Sequence, residues 1–126
     1  LSDWISQQSA PLVLVDFWAS FCQPCVAKFP KVVELADKYS GRLQVVAISC
    51  DDLSDLETVL RVVNRNKPSF AQWIDPNGAY QAHEAFDLGS LPTYRIYNNR
   101  GELLKQFDGE FEFDDVEKWI ESELSK

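Results

Sequence analysis

The sequence predicts an α/β fold: a central mixed sheet with parallel core strands and a C-terminal antiparallel hairpin, with helices on both faces. Three observations predict it. Two near-continuous apolar runs, Leu12-Val13-Leu14-Val15-Asp16-Phe17 and Leu43 to Cys50, read as parallel strands covered on both sides. Stretches of helical periodicity alternate with such runs along the chain. Near the C-terminus, two short β-type runs flank Asn98-Asn99-Arg100-Gly101, the composition of a hairpin turn.

In chain order, Leu1 to Gln8 reads as a short helix on Trp4 and Ile5, with Ser2 and Asp3 as caps, and Pro11 ends it. The first core strand follows. A helix then opens at Cys22 and runs to about Tyr39. Val26, Phe29, Val33 and Ala36 trace its inner face, while Lys28, Lys31, Glu34 and Lys38 point outward. Pro30 should kink it, since proline removes one backbone bond and crowds the preceding turn. Ser40-Gly41 closes it ahead of the second core strand. Asp51-Asp52-Leu53-Ser54 offers caps for the next helix, with Leu53, Leu56, Val59, Leu60 and Val63 as its buried stripe.

Phe70 to Ile74 reads as a short strand ended by the turn Asp75-Pro76-Asn77-Gly78. Ala79 to Phe86 is a further helix, and Thr93 to Tyr97 with Leu103 to Phe107 makes the hairpin. Asp114 and Asp115 cap a last helix that turns Val116, Trp119, Ile120 and Leu124 inward. There is no internal repeat and no low-complexity linker. The order βαβαβαββα over residues 1–126 is expected to form a single domain.

The chemistry concentrates at Cys22-Gln23-Pro24-Cys25. A Cys-x-x-Cys pair opening a helix after a buried strand is the pattern of a thiol–disulfide exchange site. Unpaired N–H groups at a helix start favour negative charge, so a thiolate at Cys22 is stabilised there. Cys25, one turn further in and more covered, is close enough to close a short-loop disulfide with Cys22. Pro24 falls in the first turn, where its missing N–H costs least. An unperturbed thiol titrates near ~8.5, and one opening such a helix reaches ~3.5–7.5. At ~7, roughly half of Cys22 would be ionised at neutral pH, against a few per cent otherwise.

Composition narrows the classes. Twelve basic against twenty acidic residues give a net charge of −8, which disfavours nucleic acid. No apolar run reaches the length of a membrane span. Three cysteines and one histidine supply no second ligand pair at metal spacing, so no metal site is expected. Three cysteines are also too few for a disulfide-stapled scaffold; one pair plus one leftover fits redox chemistry. The chain begins at Leu1 without Met, and is expected to be an excised piece of a longer precursor.

With these residues in view, the chain resembles the thioredoxin family. Asp16-Phe17-Trp18-Ala19 before Cys22, Pro24 between the cysteines, Pro30 within the helix, and Leu91-Pro92-Thr93 before the hairpin fall in the family's order. An additional helix and strand, about Asp52 to Ile74, makes it more similar to the TlpA/ResA-type branch than to the short cytosolic thioredoxins. The resemblance implies a thioredoxin-like fold and a protein disulfide reductase acting outside the cytoplasm. It implies protein disulfide or dithiol clients, a separate electron donor, no cofactor beyond the Cys22–Cys25 disulfide, and a monomer. Two positions depart from the commonest pattern: Phe21 stands where tryptophan is usual and Gln23 where glycine is frequent, and both bear on the potential. Ala47 stands roughly where short thioredoxins have a lysine near the buried acid.

Roles follow from the motif and the resemblance together. Cys22 attacks a client disulfide and Cys25 resolves the mixed disulfide. Asp16, a carboxyl in an apolar strand, is the base for Cys25; the plainer reading is a strand-end acid satisfied by solvent or a backbone donor. Pro92 resembles the family's cis proline, which would leave Leu91's backbone free to pair with an extended client segment. Trp18 and Phe21 are expected to rim Cys22, with core packing the alternative for both, and Gln23 and Pro24 complete the client-binding set. Cys50 is read as a structural core thiol, with a second redox thiol as the alternative. Asp52 is read as a site acid or a helix cap, and His83 as a solvated side chain. Two other functions compete: a disulfide-donating oxidant using the same pair, and a binding module of the same fold without turnover.

Overall fold

In the computed structural model, which describes residues 1–126, the chain begins with α1 (Ser2–Ser6), β1 (Leu12–Trp18), α2 (Gln23–Lys38) and β2 (Leu43–Ser49). A 3-10 turn (Leu53–Asp55), α3 (Leu56–Asn66), β3 (Ala71–Ile74) and α4 (Ala79–Ala85) follow. The chain ends in β4 (Thr93–Asn98), β5 (Leu103–Asp108) and α5 (Phe113–Leu124). The strands form one sheet in the order β3-β2-β1-β4-β5. β1 and β2, and β2 and β3, pair in parallel, whereas β4 runs antiparallel to both β1 and β5.

β1 sits at the centre and every one of its residues is buried. Side chains alternate across a strand, so β1 feeds two cores. Leu12, Leu14 and Trp18 join Phe29 and Val32 of α2, Val59 and Val62 of α3, and Val116 and Ile120 of α5 on one face. Val13, Val15 and Phe17 join Val46, Ile48 and Cys50 with Ile5 of α1 and Ala82 of α4 on the other. This two-sided burial is why both core strands lack the apolar–polar alternation of a half-exposed sheet. β5, at the edge, is exposed along most of its length.

Pro30 lies inside α2, on its exposed side. Several local expectations are corrected. The buried face of α2 is Cys25, Phe29, Val32, Leu35 and Ala36; Val26 and Val33 are only partly covered. On α3, Val59 and Val62 are buried, while Leu56 and Leu60, and Leu53 in the 3-10 turn before it, are 37%, 47% and 45% exposed. Two adjacent stripes of that helix have apolar helical period, and hydropathy does not choose between them. In the folded chain the helix turns Val59 and Val62 to the core. Neither Ser2 nor Asp3 caps α1, whose N-cap position is Leu1. On α5, Asp114 and Asp115 lie inside the first turn, where they offset the helix dipole, and Glu112 holds the N-cap position. Trp119 and Leu124 pack at the margin of that core.

Candidate active site

The register of the sheet brings the site's parts to one end. β1 and β2 finish side by side, Trp18 opposite Ser49, and β4 enters beside them with Thr93 opposite Phe17. The turn leading to Cys22, the Cys50-Asp51 segment and the Leu91–Pro92 peptide all follow from these strand ends.

Cys22 is the N-cap of α2 and is partly exposed; Pro24 lies in the first turn, as its spacing predicts. The turn before it is closed by the Cys22 N–H donating to the Ala19 carbonyl at 3.1 Å. Cys22 and Cys25 form a disulfide, with Cα atoms 5.2 Å apart. The Cys25 backbone N–H donates to Cys22 Sγ at 3.3 Å, so a first-turn donor already points at that sulfur. No acidic residue occupies this first turn to offset the helix's positive end. Cys25 is buried in the core with Phe29, giving one accessible sulfur and one covered one.

Asp16 faces the same layer as Leu14 and Trp18, between the sheet and α2. It is buried, and its Oδ1 has no hydrogen-bond partner. Burial without a compensating charge pushes its carboxyl up to about 8. Its strand neighbours are Ala47 on one side and Tyr94 on the other. Desolvation, followed by the Asp16 charge, pushes the Tyr94 phenol up as well.

The Leu91–Pro92 peptide is cis. Pro92 is buried, and its carbonyl accepts from the Gly109 N–H at 3.1 Å, extending the hairpin ladder. The backbone N–H and C=O of Leu91 make no hydrogen bond within the protein. Phe21 is 69% exposed beside Cys22, and Gln23 and Pro24 are also exposed. Trp18 is placed differently from its expected role at the rim. It is 1% exposed and packs edge-on against Phe29 at 4.9 Å, beneath the redox helix, so it supports the site from within.

The remaining singled-out residues lie apart from this chemistry. Cys50 is a free thiol, fully buried on the opposite face of the sheet. Burial, then the charges of Asp51, Asp16 and Asp75, pushes its thiol up to about 12. The Asp52 Oδ1 accepts from the Ala79 N–H at 2.8 Å, at the start of α4 and not of α3. The His83 Nδ1 lies 2.9 Å from the Ala79 carbonyl one turn back. No three His, Cys, Asp or Glu side chains gather as metal ligands, and no helix is long and apolar enough to cross a membrane.

One residue near the site was not legible as such in the sequence. Asp51, which reads as a cap for the following helix, is buried and binds Ser20 in the turn before Cys22. The signal available in advance was an acid at the end of the near-continuous apolar run Leu43 to Cys50, two residues from Ser49. That pattern is shared with ordinary caps.

Comparison with known proteins agrees with this geometry. A family model described as Thioredoxin matches residues 3–70. Thioredoxin C-2 of Corynebacterium nephridii is 38% identical over 87 residues, covering 67% of this chain and 71% of its own length. The thiol-disulfide oxidoreductase ResA of Halalkalibacterium halodurans is 29% identical over 110 residues, 86% of this chain. The chain spans 60% of that relative's length. Among solved structures, a Chlorobium tepidum protein provisionally described as the thiol:disulfide interchange protein DsbE superposes with a TM-score of 0.79. It is 28% identical, with 95% of this chain and 84% of that one covered. StoA from Bacillus subtilis shares the fold at a TM-score of 0.69 and 20% identity, over 90% of this chain and 84% of its own.

Proposed function

The chain belongs to the thioredoxin family, and from that premise we propose that it is a thiol–disulfide oxidoreductase that reduces protein disulfides. The observation that carries this reading is the asymmetry of one bridge: Cys22 caps a long helix at the surface, and Cys25 is buried one turn inside it.

In the dithiol form, the Cys22 thiolate attacks one sulfur of a client disulfide. A mixed disulfide forms and the client's other sulfur leaves as a thiolate. Asp16 takes the proton from the Cys25 thiol, and the resulting thiolate attacks Cys22 Sγ. The intramolecular bridge closes, the client's second thiolate departs, and the client has gained two electrons. With its carboxyl pushed up to about 8, Asp16 keeps an ionised fraction near neutral pH, and that fraction accepts the proton and can release it again. Phe21, Gln23 and Pro24 supply the contact surface around Cys22. The unpaired N–H and C=O of Leu91 are suited to an extended client strand.

The client is a protein disulfide, a separate donor restores the dithiol, and the setting is extracytoplasmic. The α3–β3 unit inserted before the hairpin, similar to that of the TlpA/ResA-type branch, supports the setting. The net charge of −8 favours basic or neutral clients.

Trapping tests the reading. Cys25→Ser should leave clients covalently joined to Cys22 and released by dithiothreitol; traps formed only through Cys50 would overturn it. Equilibration with glutathione fixes the direction. A potential near about −270 mV belongs to a reductant, and one near about −120 mV would make the same pair a disulfide donor.

A further inference from the structure

Asp51 takes no part in the exchange steps, yet it is among the most completely buried charged side chains in the protein, at 0% exposure. Both carboxylate oxygens are committed. The Ser20 backbone N–H donates to Oδ1 at 3.2 Å and to Oδ2 at 3.0 Å. The Ser20 hydroxyl donates to Oδ1 at 2.6 Å, and the Ser49 hydroxyl to Oδ2 at 2.7 Å. The Ser49 oxygen in turn accepts from the Asp51 N–H at 3.2 Å, which fixes the carboxylate's own backbone. Hydrogen bonds to an ionised acceptor are roughly twice as strong as neutral ones.

The clamp's position gives it a redox consequence. Ser20 lies within the turn Ala19–Cys22, closed by the Cys22 N–H on the Ala19 carbonyl. That turn delivers Cys22 to the N-cap of α2. In the disulfide form, Cys22 is held from both sides, by the bridge to Cys25 and by the turn anchored through Ser20. Reduction opens the bridge. What then keeps the Cys22 sulfur over the helix end is the turn, and the turn is tied to β2 through Asp51.

We infer that Asp51 is a positioning residue for the dithiol form: through Ser20 it keeps the Cys22 thiolate at the start of α2 once the bridge is open. The inference rests on the exchange reading above, in which Cys22 is the nucleophile. A contact that matters more to the dithiol than to the disulfide stabilises the reduced side of the couple. Loosening it therefore shifts the equilibrium toward the disulfide and lets the Cys22 thiol titrate higher, away from the helix N–H groups.

The test uses the whole chain with Asp51→Asn and Ser20→Ala, and Ser20→Thr as the conservative control. Each protein is equilibrated with glutathione, its thiolate absorbance is titrated in the reduced state, and its unfolding is measured in both redox states. Asp51→Asn and Ser20→Ala should each move the dithiol–disulfide equilibrium about tenfold toward the disulfide, a drop of ~30 mV. Both should raise the Cys22 titration midpoint and destabilise the dithiol more than the disulfide form. Ser20→Thr, which keeps both donors, should stay near wild type. Equal destabilisation of the two forms with an unmoved thiol titration would make the clamp purely structural and overturn the inference. If Asp51→Asn does not fold, Ser20→Ala, which removes one bond and leaves the others, carries the test. A wild-type protein that fails to exchange with glutathione would overturn the exchange reading; a competent one with unshifted variants overturns only the role of Asp51.

Discussion

Asp16 stands directly across from Ala47 in the parallel register of β1 and β2. A methyl group therefore occupies the place where a cation would have held the carboxyl ionised. Burial acts on Asp16 unopposed and pushes it from 3.8 to about 8. In the folded protein this group holds a proton that the unfolded chain releases. Its contribution to stability is full below 3.8, falls by ~1.4 kcal/mol per pH unit above that, and is gone above about 8. Asp16→Asn should remove this slope, so the variant gains on wild type as pH rises; denaturant melts at pH 5, 7 and 9 measure it. A parallel pair of curves would show that Asp16 is ionised at neutral pH after all.

The same substitution separates the two chemical steps. With no base for Cys25, resolution of the mixed disulfide should slow by roughly 10²-fold or more, while attack by Cys22 proceeds. Rapid-quench analysis with a protein disulfide should show the mixed species accumulating in Asp16→Asn and not in wild type. Equal slowing of both steps would assign Asp16 a structural role only.

Cys50 should be silent. Its thiol is fully buried and pushed up to about 12, so the nucleophilic thiolate is scarce at neutral pH. In reduced native protein at pH 7.5, iodoacetamide should label Cys22 within minutes and leave Cys50 unlabelled until the chain is unfolded. Mass spectrometry of the peptides reads this directly, and early labelling of Cys50 would reopen a second redox thiol.

Phe29 and Phe21 should respond in opposite ways to truncation. Phe29 is fully buried between Trp18 at 4.9 Å and Phe70 at 6.3 Å. Phe29→Ala should cost about 3–5 kcal/mol in unfolding free energy. Phe21 is 69% exposed, so Phe21→Ala should change stability by no more than about 0.5 kcal/mol. Its effect should appear as a raised KM for a protein disulfide, larger than for oxidised glutathione. An unchanged KM for the protein disulfide would remove Phe21 from the client surface.

Gly78→Ala should destabilise by about 1–3 kcal/mol. Gly78 has φ of +101°, and a methyl added there would lie 2.7 Å from the Asp52 Oδ1. That oxygen accepts from the Ala79 N–H, so the clash also strikes the start of α4. A thermal melt of the variant reads the loss; an unshifted midpoint would mean that the Asp52 side chain swings clear at no cost.

Features that depend on neighbours along the chain are legible in the residues alone. The apolar runs at Leu12 and Leu43, the Cys-x-x-Cys pair at a helix start, Pro24 in the first turn and the hairpin at Asn98 are local patterns. Local sterics and hydrogen bonding decide them. Features that depend on which residues face each other across the sheet emerge only when distant segments pack. Register set Ala47 beside Asp16; the rotation of α3 buried Val59 and Val62 and left Leu56 and Leu60 in solvent. Strand parity put Cys50 on the face away from the redox bridge and Trp18 beneath it. Asp51 and Ser20 are thirty-one positions apart, and each alone reads as an ordinary polar residue at a strand end. Their bond exists because two parallel strands end at the same level, a relation between distant segments that local sequence does not encode.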